Sequence, residues 1–415
     1  MESISIFPII TEGNKIIIPF ECTSQFKSFF PLSQFEISYS ESIENVPTSI
    51  AVIPLICNLL PIIWLTDSIL KVDALDKDFY ESIEAFKSGY ISMYPQMCFK
   101  GKMEINRLEE NHTKSPHKQA ATFFSGGVDA FATLIAHLDE HPTLLTVRGA
   151  DIKLNDQVGW NNVTKHVEET CQELNCNHIY ITSNFRSFLD EGALSRFVEK
   201  SGDGWWHGFQ HGIGLLGLAA PIAWVQNFKT IYIASSYTVN DHVTCASHPS
   251  IDNNIRYFDC KIRHDQYEYT RQNKITHICD FVRSTGKSIS LRVCWESRGG
   301  KNCCTCEKCL RTIYGILAEG VNPVKMGFSQ IAGHYDALKK RIQNQIIFNF
   351  ISTPFWIDIQ KRFIENKARL QYGPDINWIY DYDFKKANWT VRKQSIILYG
   401  SLRSFLGRIK KHIVS

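Results

Sequence analysis

The sequence predicts an α/β protein centred on a parallel sheet with helices on both faces, and three observations lead there. The first is Ala121–His137, ATFFSGGVDAFATLIAH, which reads as a short apolar strand (Thr122–Phe124), a Ser-Gly-Gly turn and an amphipathic helix. The second is the alternation of strand-like and helix-like runs from Ala120 to Ala234, the rhythm of βαβ units. The third is size: 415 residues, 44% apolar and 21% charged, are enough for two or three domains with cores of their own.

Taken in order, residues 1–118 read as an N-terminal α+β domain. Ile4–Ile10, Lys15–Glu21 and Phe35–Ser38 are strand candidates rich in β-branched and aromatic residues. Ala51–Leu65 is apolar, but Pro54 and Pro61 interrupt it and it is short for a bilayer span, so buried strand and turn are expected there. Asp76–Tyr94 has Phe79, Ile83, Phe86 and Tyr90 at helical steps. His112–Gln119 reads as a linker.

From residue 119 to 320 the alternation sets in. Strand Leu144–Val147 ends in Arg148-Gly149-Ala150-Asp151, a helix follows from about Trp160 to Leu174, and His178–Thr182 is the next strand. A helix over His211–Gln226 leads to strand Thr230–Ala234 and Ser235-Ser236. Ligands of such sheets sit at the carboxyl ends of strands, so Ser125, Arg148–Asp151 and Ser235–Ser236 are expected to share one crevice. The Ser-Gly-Gly turn suits an anion. Gly126 and Gly127 let the backbone approach phosphate oxygens, the helix N-terminus presents N–H groups, Ser125 adds a hydroxyl, and Asp129 can hold Mg²⁺ or cap the turn. An ordinary βα turn would look the same locally, and a Walker A loop is excluded by the missing Gly-Lys-Ser/Thr end.

A second cluster is Cys294-WESRGGKN-Cys303-Cys304-T-Cys306-EK-Cys309. Cys294, Cys303, Cys306 and Cys309 can converge on one Zn²⁺ as a closed structural site, with Cys304 a bystander and Arg298, Lys301, Lys308 and Arg311 offsetting the thiolate charge. An iron–sulfur cluster would also suit four cysteines. Thirteen cysteines bunched in this way, with no basic segment ahead of an apolar run at the N-terminus, point to a cytoplasmic protein without a disulfide framework. Residues 321–415 carry 16 Lys and Arg against 6 Asp and Glu, whereas the first 320 carry 29 against 36. This basic, helical extension suggests an acidic partner. Its end interleaves Phe405, Leu406, Ile409 and Ile413 with Arg403, Arg408, Lys410 and Lys411, a pattern for a membrane surface, nucleic acid or docking on its own domain.

The Ser125–Asp129 string resembles the PP-loop of the ATP pyrophosphatases. Together with Cys-x8-Cys-x2-Cys-x2-Cys, it makes residues 120–315 resemble the 7-cyano-7-deazaguanine synthase family of the queuosine pathway. The resemblance implies an adenine nucleotide alpha-hydrolase-like, Rossmann-like domain that binds ATP with Mg²⁺ through Phe124, Ser125, Gly126, Gly127, Val128, Asp129, Arg148 and Ser235, and holds a structural Zn²⁺. It implies an ATP-dependent ligase that turns a carboxylate into an acyl-adenylate for ammonia or an amine, with Asp129, Arg271 and Lys274 in catalytic roles. Substrate contacts would come from His211, Ser247, His248 and Asp252, the Ser247–Asp252 stretch hanging over the crevice. Ala130 stands where the family loop has Ser or Thr, and His211-Gly212 where it has Arg-Asn. The acceptor implied is a deazapurine-like molecule or a larger protein or sugar. The alternatives are a conjugating enzyme of antiphage defence or polysaccharide assembly, and a non-catalytic nucleotide-binding module; a homo-oligomer is compatible with each. His207, His242, Trp205 and Trp206 read first as hydrogen-bonding and packing residues.

Overall fold

The computed structural model describes residues 2–112, 119–294, 299–331 and 333–399. The linker at 113–118, Arg298 and the basic tail from Arg403 onward lie outside the described residues. Contacts divide the chain into two compact units, Met1–Ser125 with Asp129–Glu268, and Gly126–Val128 with Tyr269–Ser415.

The first unit is a mixed α/β body around one twelve-stranded sheet. Its strands are β1 (Ser3–Ile6), β2 (Ile10–Glu12), β3 (Lys15–Cys22), β4 (Gln34–Tyr39), β5 (Ile69–Asp76) and β6 (Lys102–Glu109). Next come β7 (Gln119–Phe123), β8 (Thr143–Arg148), β9 (His178–Ser183), β10 (Phe228–Ala234), β11 (Arg256–Tyr257) and β12 (Cys260–Asp265). They lie in the order β11-β12-β10-β7-β8-β9-β4-β3-β1-β5-β6, with β2 on β3. The five strands β12-β10-β7-β8-β9 are parallel neighbours, with Thr122 of β7 opposite Leu144 on one side and Tyr232 on the other. Their middles are buried on both faces (Ala121, Leu144, Leu145 and Ile231), as expected where crossover helices cover a parallel sheet. The chain builds β8 and β9 on one side of β7, then returns to lay β10 and β12 on the other.

Residues 1–118 were expected to stand apart, but they extend this sheet. Strand β4 pairs antiparallel with β9, Ile37 opposite Ser183 and Tyr39 opposite Ile181, and the Tyr39 hydroxyl donates to Leu218 O at 2.9 Å in the core. The expected strand and turn at Ala51–Leu65 is instead the helix Ile53–Leu65, in which every residue but Leu65 is buried. A segment buried all round has no apolar period to announce a helix, and Pro54 sits in its first turn, where a missing N–H costs nothing. Two glycines let the helix His211–Leu218 come close to it: a Cβ at Gly214 would lie 2.8 Å from Asn58 Oδ1, and one at Gly217 2.6 Å from Cys57 Cβ. By length and composition Trp206–Gln226 could cross a membrane, yet 78% of that stretch is buried inside the fold.

The described part of the second unit is helical, with helices Arg271–Thr285, Glu307–Ala318, Tyr335–Asn344 and Ser352–Glu365. Residues 269–320 go with the C-terminal extension because one buried carboxylate ties them together. Glu319, whose side chain is 0% exposed, receives Arg362 Nε at 2.6 Å, Arg362 Nη2 at 3.0 Å and Arg369 Nη2 at 3.1 Å. It also accepts from Thr276 Oγ1 at 2.6 Å and Gln272 Nε2 at 3.1 Å.

Burial alone would raise the Glu319 carboxyl, but Arg362 and the hydroxyl and amide donors outweigh it and hold it below the usual value of 4.5. A depressed carboxylate stabilises the fold above its unfolded pKa, and the contribution is lost as pH falls through the folded value. Acid titration should therefore loosen the second unit below about pH 4. Glu319→Gln should flatten that dependence, and Glu319→Ala should cost roughly 1–3 kcal/mol at pH 7 by taking the acceptor from Arg362, Thr276 and Gln272. Urea unfolding at several pH values reads both effects; a pH-independent difference between wild type and Glu319→Gln would contradict them.

Candidate functional site

The Ser-Gly-Gly turn leaves the carboxyl end of the central strand. Phe124 N–H donates to Leu145 O at 2.9 Å and Phe124 O accepts from Thr146 Oγ1 at 2.9 Å, so the turn is pinned to β8 as it departs. The Phe124 ring is core, edge-on to Phe131 at 4.9 Å, and only its backbone faces the turn's business. Ser125 is exposed, and Gly126 has φ +77°, a left-handed conformation that glycine adopts freely. Gly126 O accepts from Arg292 N–H at 2.7 Å. The helix Val128–Ala136 starts at once, with Val128 in the core, Asp129 half-buried in the first turn, and Ala130 buried with no hydroxyl to offer. The N–H groups of a helix's first turn suit an anion.

The neighbouring strand ends are braced from within. Arg148 Nη2 donates to Leu154 O at 2.7 Å and to Gln157 Oε1 at 2.9 Å, and its guanidinium lies 5.6 Å from the Trp160 ring. Ser235 is fully buried; its N–H donates to Asp265 O at 2.9 Å and its hydroxyl donates to Tyr237 O. Both residues hold loop ends in shape. Arg271 and Lys274 belong to the second unit, buried in the first turn of helix Arg271–Thr285, which Thr270 and Asn273 cap reciprocally.

The Ser247–Asp252 stretch does not hang free. Pro249–Asp252 is a helical turn capped by His248, and Asp252 is fully buried, accepting from Ser247 Oγ and paired with His264 Nδ1, each at 2.8 Å. His248 Nε2 meets the Tyr267 hydroxyl at 3.0 Å. Asp252 therefore works as an internal brace, while Ser247 and His248 are half-buried. His211 is half-buried beside the Trp206 ring at 5.0 Å, whereas Trp205 is core, stacked on Phe209 at 5.6 Å. His242 is exposed.

The cysteines of the second unit do converge. Sγ atoms of Cys294, Cys303, Cys306 and Cys309 all lie within 4.8 Å of one another, with Cys294 to Cys306 at 3.8 Å and Cys303 to Cys309 at 4.0 Å. Four sulfurs tetrahedral about one ion at a Zn–S length of about 2.3 Å stand roughly 3.8 Å apart, so the set fits one metal ion such as zinc. Four cysteines spread over the irons of a polynuclear cluster would be much farther apart. Backbone N–H groups of Thr305 and Cys306 point at Cys303 Sγ (3.4 and 3.3 Å), and that of Cys309 at Cys306 Sγ (3.4 Å), which favours thiolates. Asn302 joins the two ligand-bearing segments: its Oδ1 accepts from Val293 and Cys294 N–H, and its Nδ2 donates to Leu291 O and Gly327 O. Cys304 turns away, buried near Asn302 O. Arg311 lies over the Phe355 ring at 4.4 Å and pairs with Glu307, so it serves packing as well as charge.

No protein-family model, curated protein or solved structure matches this chain.

A cavity of about 560 Å³ in the first unit is lined by Gln119, Thr143 and His178 among others, the first residues of β7, β8 and β9. It opens at the amino ends of the strands, opposite the Ser-Gly-Gly turn. Sequence reasoning missed Arg186, Asp203 and Cys245. Arg186 follows β9, donates to Ala150 O after β8 at 3.3 Å, and covers the Trp206 ring at 4.0 Å. Nothing local marks it. Asp203 did carry a signal, since 203, 207 and 211 recur at helical spacing.

The purified chain should bind about one zinc ion, and a strong chelator should destabilise it, because a closed thiolate site contributes folding energy. Cys306→Ser should lose the metal and Asn302→Ala should weaken its retention, whereas Cys304→Ser should leave the metal content unchanged. Elemental analysis of the four proteins checks this; loss of metal in Cys304→Ser with retention in Cys306→Ser would contradict the ligand set.

Proposed function

We propose that this chain is an ATP-dependent carbon–nitrogen ligase of the PP-loop type, which activates a carboxylate as an acyl-adenylate for attack by ammonia or an amine. The observation that carries the reading is the Ser-Gly-Gly-Val-Asp turn at the carboxyl end of β7, where the direction of sheet growth reverses. Counted from β7, the five parallel strands stand in the order 3-2-1-4-5, that of doubly wound nucleotide-binding sheets, whose ligands bind at the reversal. The four-cysteine site, in the same chain order as in the 7-cyano-7-deazaguanine synthases, adds to it.

The chemistry is set by leaving groups. A carboxylate cannot lose oxide, so its oxygen attacks the α-phosphorus of ATP and the bond to pyrophosphate breaks. The amine nitrogen then attacks the acyl carbon and AMP departs. Gly126 and Gly127 let backbone N–H groups of the turn and the helix start face the phosphates, and Ser125 donates its hydroxyl. Asp129 would hold Mg²⁺, which supplies charge to offset the pyrophosphate. A second reading, a nucleotide-binding module without turnover, is favoured by Ala130, which offers no hydroxyl, and by Arg148, which is engaged in its own loop.

Pyrophosphate and AMP release from ATP, with 7-carboxy-7-deazaguanine and ammonia as first probes, tests the ligase. Asp129→Ala should lower it by roughly 10²–10³-fold while leaving the melting temperature near that of wild type, since the residue is half-buried at a turn. Turnover undiminished in Asp129→Ala would contradict the assignment. Tight ATP binding without pyrophosphate release across carboxylates would favour the module.

A further inference from the structure

A second group of reactive side chains lies in the first unit. Asp203, His207 and His211 recur every four residues, and a single π-helical turn, Trp206–Gln210, leads into helix His211–Leu218. Such turns cost stability and often mark functional positions. His207 Nδ1 lies 2.9 Å from Asp203 Oδ1 and 3.0 Å from Oδ2, and the hydroxyls of Tyr94 (3.0 Å) and Thr244 (3.1 Å) donate to the same carboxylate. The Tyr237 hydroxyl is 3.2 Å from His207 Nε2. Cys245 is set against the pair of Asp203 and His207 by its neighbours in the chain: Thr244 binds Asp203, the Ala246 N–H donates to His207 O at 2.8 Å, and the Ser247 N–H points at the Cys245 sulfur from 3.4 Å, with His207 and His211 the imidazoles whose charge acts on that sulfur. Gly212 makes the approach possible: a Cβ there would stand 2.3 Å from Ala246 O.

Carboxylate, imidazole and thiol in series are the parts of an activated nucleophile. The other buried thiols set the contrast. Burial pushes Cys57 and Cys260 well up, the ordinary fate of a core cysteine. Burial would raise Cys245 too, but His207 and His211 outweigh it and bring the thiol down to about 6. The hydrogen bond to Asp203, then that to Cys245, lifts His207 to about 11. Tyr90 and Tyr94 also feel Cys245. Cys245 is 3% exposed, while the His207 side chain is 39% exposed, so the imidazoles connect the thiol to solvent. A metal is not the better reading: among the described residues, only the four cysteines bring three or more ligand atoms within 4.8 Å.

The cluster is at the same edge of the sheet as the Ser-Gly-Gly turn. Cys245 lies in the segment after β10, and His211 touches Trp206, which Arg186 covers. Arg186 follows β9 and binds Ala150 after β8. Ser125 follows β7, which lies between β8 and β10.

We propose that Cys245 is a catalytic nucleophile that takes the activated acyl group as a thioester and hands it to an amine, a step resting on the ligase reading above. The thiolate attacks the acyl carbon of the adenylate; a C–S bond forms, the C–O bond to phosphate breaks, and AMP leaves with the electron pair. The amine nitrogen then attacks, C–N forms, C–S breaks and the pair returns to sulfur, while the ammonium proton is lost to water. His207, held by Asp203, keeps its charge beside the sulfur throughout. A thioester separates AMP departure from amine arrival, so a bulky primary amine need not share the crevice with the nucleotide.

Two measurements test this. Iodoacetamide labelling of the whole protein between pH 5 and 9, read on the Cys245 peptide by mass spectrometry, needs no substrate. Its rate should inflect near pH 6 in wild type, and His207→Gln should lower the rate at pH 6 at least about tenfold by raising the inflection. Under turnover with ATP and 7-carboxy-7-deazaguanine but no amine, the Cys245 peptide should gain the acyl mass and lose it to hydroxylamine, and Cys245→Ala should form amide about 100-fold more slowly. Pyrophosphate release with a Cys245 inflection above pH 8 and no acyl peptide would overturn the nucleophile and leave the ligase. An inflection near pH 6 without pyrophosphate release from any carboxylate would overturn the ligase and with it the thioester step, leaving only an activated thiol.

Discussion

The first unit depends on a reversal. A parallel sheet can grow outward from a strand in one direction only until the chain crosses back, and here it crosses back at β7, after β9 and before β10. Two loops that would otherwise cover the carboxyl edge then part on either side of β7. The Ser-Gly-Gly turn occupies that gap. Its backbone is committed to β8 through Phe124, and its glycine at φ +77° turns the chain into a helix whose first N–H groups have no helical partners. Every other loop at this edge, after β8, β9, β10 and β12, inherits its position from the same crossing.

What keeps those loops in place is polar and mostly buried. Arg148 closes its own loop, Ser235 ties β10 to Asp265, and Asp252 is held by Ser247 and His264. Burying such groups is favourable only when each finds partners, so these residues serve as braces and cannot also be spent on a ligand. Glu319 does the same in the second unit with two arginines, and Asn302 does it for the cysteine segments. The side chains at this edge that the proposed chemistry uses are fewer: Ser125, Asp129, and the imidazoles around Cys245.

Much of this was legible in the sequence where the cause is local. Strands β7 to β10 and the helix Gln157–Leu174 fall within a few residues of the expected bounds, because alternating apolar runs and turn residues carry them; the helix expected over His211–Gln226 is two, His211–Leu218 and Ala220–Gln226, and Glu191–Phe197 was not expected. The cysteine cluster was legible for the same reason, ligand spacing being short-range. The helix Ile53–Leu65 was not, since uniform burial erases the period that distinguishes helix from strand. Nor was the union of residues 1–118 with the sheet: the pairing of Ile37 with Ser183 joins positions far apart in the chain, and no local pattern encodes it. Strand β12 was missed because its alternation covers only Cys260 to Ile262 before charged residues take over. Cys245 illustrates the remaining limit. One cysteine in a loop has no signature, and its surroundings are assembled from residues on three separate segments.

The most direct test of nucleotide binding at the reversal is backbone hydrogen exchange across the chain with and without α,β-methylene-ATP and Mg²⁺. If the turn after β7 holds the phosphates, amides between Phe124 and Phe131 should be the most strongly protected by the analogue. Protection concentrated at the amino ends of β7–β9, around Gln119, Thr143 and His178, or an exchange pattern the analogue leaves unchanged, would contradict it.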